Sequence, residues 1–273
     1  MSMDIISKGK PASDLLQRAS RGRSWILLIT ILLALALWQG LVMATRLPAY
    51  ILPGPALVWD RFLRAMADGS LPQNFAVTLE EVLLGLLLGS GLATTLGYLL
   101  AKSRLLDRLL SPFLVASQAV PVVAIAPLLI IWFTPGMFSK VLICALTVFF
   151  PVLVNTVVGV RAVSEQLRDL MRSLQAGRLQ TLVHLEIPAS LPVFLGGLRI
   201  GATLSVIGAV VGEFVGADQG LGFLINVGRG QYDTALVFVA LFALIAMALA
   251  LYGLVSLAEA RLLAWQPWRQ REN

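Results

Sequence analysis

A chain of 273 residues that is 58% hydrophobic and only 13% charged, with a mean hydropathy of +0.85, falls outside the range of soluble globular domains and points to a bilayer protein. Its formal charge of +6 does not signal nucleic acid, because the basic residues are scattered between apolar runs and form no stripe interleaved with aromatics; they read as determinants of membrane orientation. A lone cysteine, Cys144, and a lone histidine, His184, exclude an intrachain disulfide, a Cys-based zinc site and any multi-histidine cluster.

Residues 1–24 are polar and basic and read as a cytoplasmic tail. They lead into an apolar run at 25–44, longer than the core of a signal peptide and taken as a first membrane span. Between 45 and 74 the chain is proline-punctuated (Pro48, Pro53, Pro55, Pro72), with an amphipathic piece that places Trp59, Phe62, Leu63 and Met66 on one face and is expected to lie in the interface. A second span, 75–101, carries Gly85 and Gly89 at small-xxx-small spacing, which permits close helix approach in lipid; Glu80 and Glu81 are assigned to its outer interface, without a role. After a charged turn (Lys102, Arg104, Asp107, Arg108), a third span at 109–133 is broken by Pro112, Pro121 and Pro127 and should be kinked and interior.

A fourth span, 141–160, holds Pro151 and Asn155, the latter either an interhelical hydrogen bond or a ligand of the path. A fifth, 193–215, carries Gly208, Gly212 and Gly216 in overlapping GxxxG patterns that mark a helix–helix seam, and a sixth runs over 235–257. The six spans and their loops form a domain over 25–260, followed by a cytoplasmic tail at 261–273 with Trp265, Trp268, Arg269 and Arg271. Sixteen of the 21 Lys and Arg residues fall on the side of the termini, so both termini and the polar stretch 161–192 are assigned to the cytoplasm.

That stretch is the longest polar interruption in the chain. Leu167, Leu170, Met171 and Leu174 recur at helical spacing, and a second set, Leu179, Leu182 and Val183, follows a break at Ala176–Gly177. Two short amphipathic helices with a glycine joint are expected. Their apolar face should pack on the bundle, leaving Glu165, Arg168, Asp169 and Arg172 as a charged ridge: a docking surface, or a solvated loop.

The residues from Ser173 to Leu182, then Leu185-Glu186-Ile187-Pro188-Ala189-Ser190-Leu191-Pro192 and Gly197-Leu198-Arg199-Ile200-Gly201, resemble the cytoplasmic loop of binding-protein-dependent ABC importer permeases. The likeness is to the subgroup that takes up nitrate, sulfonates, taurine and pyrimidine or vitamin precursors, and it also covers Leu52-Pro53-Gly54-Pro55 and the run from Gln118 to Leu128. The family's loop reads Glu-Ala-Ala, three residues, Gly, nine residues, an apolar residue, one more, and Leu-Pro. Aligned on Pro188, it places Asp169, Leu170 and Met171 at Glu-Ala-Ala, Gln175 at the glycine, Leu185 at the apolar position and Ile187 at the leucine. The departure at Gln175 bears on the turn, where Gly177 is the expected source of flexibility.

The resemblance implies an all-α integral membrane protein of the type I importer fold. It implies a multi-pass subunit of the bacterial inner membrane whose coupling helix docks on a separate ATPase through Asp169, Arg172, Gln175, Ala176, Gly177, Arg178, Leu182 and Pro188. ATP and Mg are expected in that partner and no cofactor in this chain, which has no G-x-x-x-x-G-K-[ST] loop to cradle phosphate. An extracytoplasmic solute-binding protein and a second copy of the chain complete the expected assembly. Pro121, Asn155, Ser205 and Glu213, polar or kinked positions within spans, are the candidates for path or gate; an acid at Glu213 is costly unless paired or facing water. Two other readings stay open: an ion-coupled carrier working without an ATPase, with Glu213 as its ion site, and a membrane-embedded enzyme, for which no nucleophile–base or metal constellation is present.

Overall fold

The computed structural model describes residues 12–265, with side chains from residue 29 onward and at Trp25. Lys8, Lys10, Arg269 and Arg271, on which part of the sidedness count rests, lie outside the described residues, as does Trp268. Eleven α-helices follow in order: α1 Ala12–Thr45, α2 Pro55–Ala67, α3 Ser70–Lys102, α4 Arg104–Gln118, α5 Val122–Phe133, α6 Met137–Arg161, α7 Glu165–Ser173, α8 Arg178–Thr181, α9 Ile187–Gly216, α10 Leu221–Gly230 and α11 Thr234–Leu262. No strand occurs among the described residues. Among the described residues four helical runs are long and apolar enough to cross a bilayer, namely α3, α6, the continuous run 178–216 and α11, and the bent pair α4–α5 makes a fifth if counted as one span. The apolar stretch Ile29–Thr45 of α1 is shorter.

The bundle is organised around α6, which packs on α3 along one side and on α9 along the other. Small residues let the three backbones approach. A methyl group added at Gly89 of α3 would stand 2.5 Å from the Ala145 carbonyl oxygen, and one at Gly85 would strike Cys144. On α9, Gly197 lies against Asn155, Gly208 against the Cys144 backbone and Thr147, and Gly212 against Lys140 and Ile143. Gly216 departs from the seam expected of it: only Ile130 comes near, because α9 ends there. In lipid, where apolar side chains gain little by leaving one apolar medium for another, such close approach is a main source of helix association. Gly89→Val is therefore expected to cost roughly 1–3 kcal/mol or more by overpacking, checked as a fall in monodisperse protein after detergent extraction, whereas Gly91→Val, which faces open space, should extract like the parent.

The apolar core continues from this seam. Val58 and Ala65 of α2 join Val82, Ala202, Val206, Leu224, Val239 and Met247 in one cluster, while Leu100, Val148, Val152 and Leu153 form a second toward the other end of α3. The face of α2 that packs inward is Val58, Phe62 and Ala65; Trp59, Leu63 and Met66 are exposed. Arg61 Nε bonds Asp233 at 2.7 Å, and Asp233 in turn caps α11 by accepting from Leu236 N–H. Between α2 and α3 the chain reverses at Gly69 (φ 77°), where the side-chain and backbone hydrogen bonds of Ser70 hold the Asp68 carboxyl below its usual range.

The third expected span differs most from its expectation. It is not one kinked interior helix: α4 and α5 meet at 98° across the break before Pro121, and α4 buries none of its side chains. Pro121 has no N–H to continue the ladder and disfavours the helical conformation for the residue before it. Of the two, α4 rests its half-buried Leu110 and Leu114 on the Leu100–Val152 cluster, and α5 is anchored by Ala126 and Ile130 against Ile143 of α6.

Candidate functional site

Of the polar assemblies that interrupt the apolar bundle, two sit near the ends of α3, apart from the Arg199–Glu259 pair between α9 and α11. Thr78 and Tyr98 are 20 positions apart on one helix, which at 1.5 Å per residue separates the two by about 30 Å.

At the C-terminal end of α3 lies the loop. Ser164 caps α7 by accepting from Leu167 N–H at 3.4 Å. Arg168 donates to the Val160 carbonyl at 2.9 Å and ties α7 to the end of α6, and Arg172 pairs with Asp169 at 2.7 Å and more loosely with Glu165. Such exposed pairs contribute little stability. The face that packs inward is Arg168 with Met171, both half-buried, and not the leucines of the apolar set. Contrary to the sequence expectation, α7 buries no side chain: Leu170 is 53% exposed and Leu174 67%, with Leu167 beside them, while Arg168 of the expected charged ridge points back to the bundle. An apolar stripe on a protruding helix is thus left without a partner among the described residues.

The turn after α7 explains the position where the family pattern has glycine. Gln175 sits in the left-handed region (φ 53°); its N–H bonds Arg172 O at 2.9 Å and Ala176 N–H bonds Met171 O at 3.0 Å, the Schellman arrangement that favours glycine. Gly177 does not supply this turn: its φ is −67° and it caps α8, with its N–H on the Gln180 side chain at 2.8 Å. A left-handed conformation costs a non-glycine residue about 1–2 kcal/mol, and glycine gives back about 0.5–1 kcal/mol in chain entropy. Gln175→Gly is expected to stabilise by about 0.5 kcal/mol and raise the melting temperature by about 1–2 °C, read by a thermal melt in detergent.

Beyond α8, Leu182–Glu186 forms a π turn that runs straight into α9, so the helix begins ahead of the expected boundary at Val193. Pro188, in the first turn of α9, has no N–H to donate back into this stretch. The turn carries the Glu186 carboxyl inward, where it pairs with Lys102 and accepts from the Tyr98 hydroxyl at 3.1 Å. Leu182 is half-buried and Arg178 exposed.

At the N-terminal end of α3 the assembly is buried. Glu213 is 1% exposed; its carboxylate accepts from Thr78 Oγ1 at 2.6 Å and from Gly222 N–H at 2.5 Å. Thr78 Oγ1 accepts from Leu221 N–H at 2.8 Å, and Asn74 Oδ1 accepts from Gly220 N–H at 2.6 Å. Three successive N–H groups at the start of α10 are thereby satisfied by side chains of α3 and α9, with a carboxylate at the positive end of the helix dipole. The glycines are required here: Gly220 has φ 115°, and a methyl on Gly222 would lie 2.7 Å from Glu213 Oε2. Beside this seat, Lys140 Nζ bonds Glu81 at 2.8 Å with both side chains buried. An open cleft of about 680 Å³, bordered by Glu80, Glu81, Lys140, Asp218 and Gln219, leads down to it.

Sequence reasoning singled out Glu213 but missed Asn74, Thr78, Glu81 and Lys140, and the placement of Glu81 at an interface is corrected by its complete burial. The available signal was the spacing of Asn74, Thr78 and Glu81 on one face of an apolar helix. The other path candidates are not brought together with Glu213. Asn155 bonds within its own helix, to Pro151 O at 2.8 Å; Ser205 is fully buried and bonds Ala202 O at 2.8 Å; Pro121 is exposed at the α4–α5 bend.

Residues 85–264 match the family described as binding-protein-dependent transport system inner membrane component. The chain is 48% identical to the riboflavin transport system permease protein RibX of Chloroflexus aurantiacus, over 87% of this chain and 89% of that one. It is 34% identical to the formylaminopyrimidine transport permease protein ThiX of Halalkalibacterium halodurans, over 82% and 88%, and 31% identical to the taurine transport system permease protein TauC of Escherichia coli, over 86% and 88%.

Proposed function

The chain belongs to the inner membrane components of binding-protein-dependent transport systems, and on that premise we propose that it is the translocating subunit of an ATP-driven importer, crossing the membrane six times with both termini in the cytoplasm. The observation that carries the coupling part is the exposed Leu167–Leu170–Leu174 stripe on α7, at the cytoplasmic end assigned by the positive charges. A protruding apolar helix face of this kind fits the groove of a partner; that partner is an ATPase subunit holding ATP and Mg. Asp169, Arg172 and Ala176 form the polar rim of the contact, and Gln175 sets the turn.

At the other end, the seat of α10 on Glu213, Thr78 and Asn74 acts as the outer gate, and the bend at Pro121 as the hinge, in a path shared with a second copy of the chain. A solute-binding protein delivers cargo to the open cleft above Glu81. The solute is a small nitrogen heteroaromatic of the flavin or pyrimidine type, because the relative named for riboflavin is 48% identical, against 34% for the one named for formylaminopyrimidine and 31% for the one named for taurine.

Co-expression of the full chain with the neighbouring ATPase tests this directly. A stable complex is expected after extraction; an ATPase that never co-purifies, under conditions where both proteins are folded, contradicts the proposal.

A further inference from the structure

Where α3 meets the loop, two openings share one side chain. The first, about 550 Å³, is lined by Lys102, Arg168, Arg172, Arg178 and Glu186, with Tyr98 on its wall. Its single carboxylate is already committed, since Glu186 holds Lys102 and the Tyr98 hydroxyl. Arg172 is shared with Asp169 and Glu165. Among the described residues Arg168 donates only to the Val160 carbonyl, and its Nε is shielded from solvent with no acceptor there. Arg178 has no carboxylate partner among the described residues. The lining therefore has a surplus of positive charge and donors that the protein does not satisfy.

The second opening, about 420 Å³, is a groove between α3, α6 and α9 lined by Leu99, Val160, Ile187, Leu191 and Phe194, and again by Tyr98. It runs from the basic cleft toward the interior of the spans. A basic cleft continuous with an apolar groove at the membrane boundary has the chemistry of an anionic lipid: phosphate at one end, hydrocarbon at the other.

We propose that these two openings together bind one anionic phospholipid of the cytoplasmic leaflet, with its phosphate among Lys102, Arg168 and Arg178 and one acyl chain along the groove. The proposal rests on the sidedness inferred above. A free phosphate compound would use the cleft and leave the groove empty, and a second copy of the chain would bring the same positive charges to a site that already has too many. The bound lipid bridges the end of α3 to the α7–α8 loop, through charges that the chain leaves unneutralised.

Native mass spectrometry of the full chain, purified with its ATPase in detergent, tests this with three probes: phosphatidylglycerol, phosphatidylcholine of the same acyl chains, and glycerol 3-phosphate. Phosphatidylglycerol is expected to be retained at least about tenfold better than phosphatidylcholine, and glycerol 3-phosphate not at all. At about 1 kcal/mol per basic residue near the headgroup, the double substitution Arg168→Gln, Arg178→Gln lowers phosphatidylglycerol affinity about thirtyfold. Thr95→Trp, which fills the groove from an exposed position and leaves every cation in place, abolishes retention as well. Equal retention of the two lipids, competition by glycerol 3-phosphate, unaffected binding in Thr95→Trp, or cross-linking of two copies through the groove would each overturn the proposal. Retention is read without transport, so its failure leaves the importer reading standing.

Discussion

Glu213→Ala is expected to abolish uptake and to cost about 3–5 kcal/mol of stability, while Glu213→Gln keeps most of both. Removing the carboxylate leaves the Gly222 N–H without an acceptor in a buried, membrane-embedded site and opens a cavity beside it; each orphaned donor costs about 1–3 kcal/mol and the cavity adds to that. Glutamine fills the same volume. Its amide oxygen accepts from Gly222 N–H, its NH2 donates to Thr78 Oγ1, and the Thr78 hydroxyl turns to the Asn74 carbonyl, 3.1 Å away. The yield of monodisperse protein and the initial uptake rate, both relative to the parent, check the pair. An alanine variant that transports normally would show that α10 does not depend on this seat, and a glutamine variant as impaired as alanine would show that the charge matters more than the hydrogen bonds.

The second large effect is expected on α7. Leu170→Asp with Leu174→Asp changes two exposed side chains, so the permease alone should extract and melt as the parent does, within about 0.5 kcal/mol. Its complex with the ATPase should weaken by at least about 3 kcal/mol, since two apolar anchors of an interface are replaced by charges that would be buried on docking. That corresponds to more than a hundredfold in affinity. Pull-down of the ATPase and coupled ATP hydrolysis measure it. Loss of permease stability instead would mean that the stripe packs within its own chain.

Much of the architecture was legible because its signals are local. Apolar length sets α3, α6, α9 and α11, and the small-residue spacing of Gly85, Gly89, Gly208 and Gly212 marks the faces that meet α6. What escaped depends on contacts far apart in sequence. Asn74, Thr78 and Glu81 lie more than fifty residues from Lys140 and more than a hundred from Glu213 and Gly222, and nothing in a single chain says that a polar residue in an apolar span has found its partner there. The amphipathy of α7 was readable, but periodicity fixes only that an apolar stripe exists; whether it faces its own bundle or another protein depends on where Arg168 and Val160 hold the helix. The right-angle break at Pro121 was likewise marked by the proline, whereas its size follows from where each half packs, α4 on the Leu100–Val152 cluster and α5 on Ile143 of α6. Gln175 shows the converse: the departure from glycine was visible in sequence, and only the backbone revealed that the residue keeps glycine's left-handed conformation.

These contacts also bear on the ion-coupled alternative. A carrier of that kind needs an intramembrane acid free to exchange its ion, and the acid named for that role, Glu213, is engaged by Thr78 and the start of α10, as Glu81 beside it is by Lys140. Solute uptake into proteoliposomes containing the full chain, its ATPase and its binding protein, with ATP supplied on the ATPase side, separates the two mechanisms most directly. Uptake is expected only when ATP and the ATPase are both present, unaffected by an uncoupler, and lost in Leu170→Asp/Leu174→Asp; uptake that proceeds without the ATPase and collapses with the proton gradient would contradict the account.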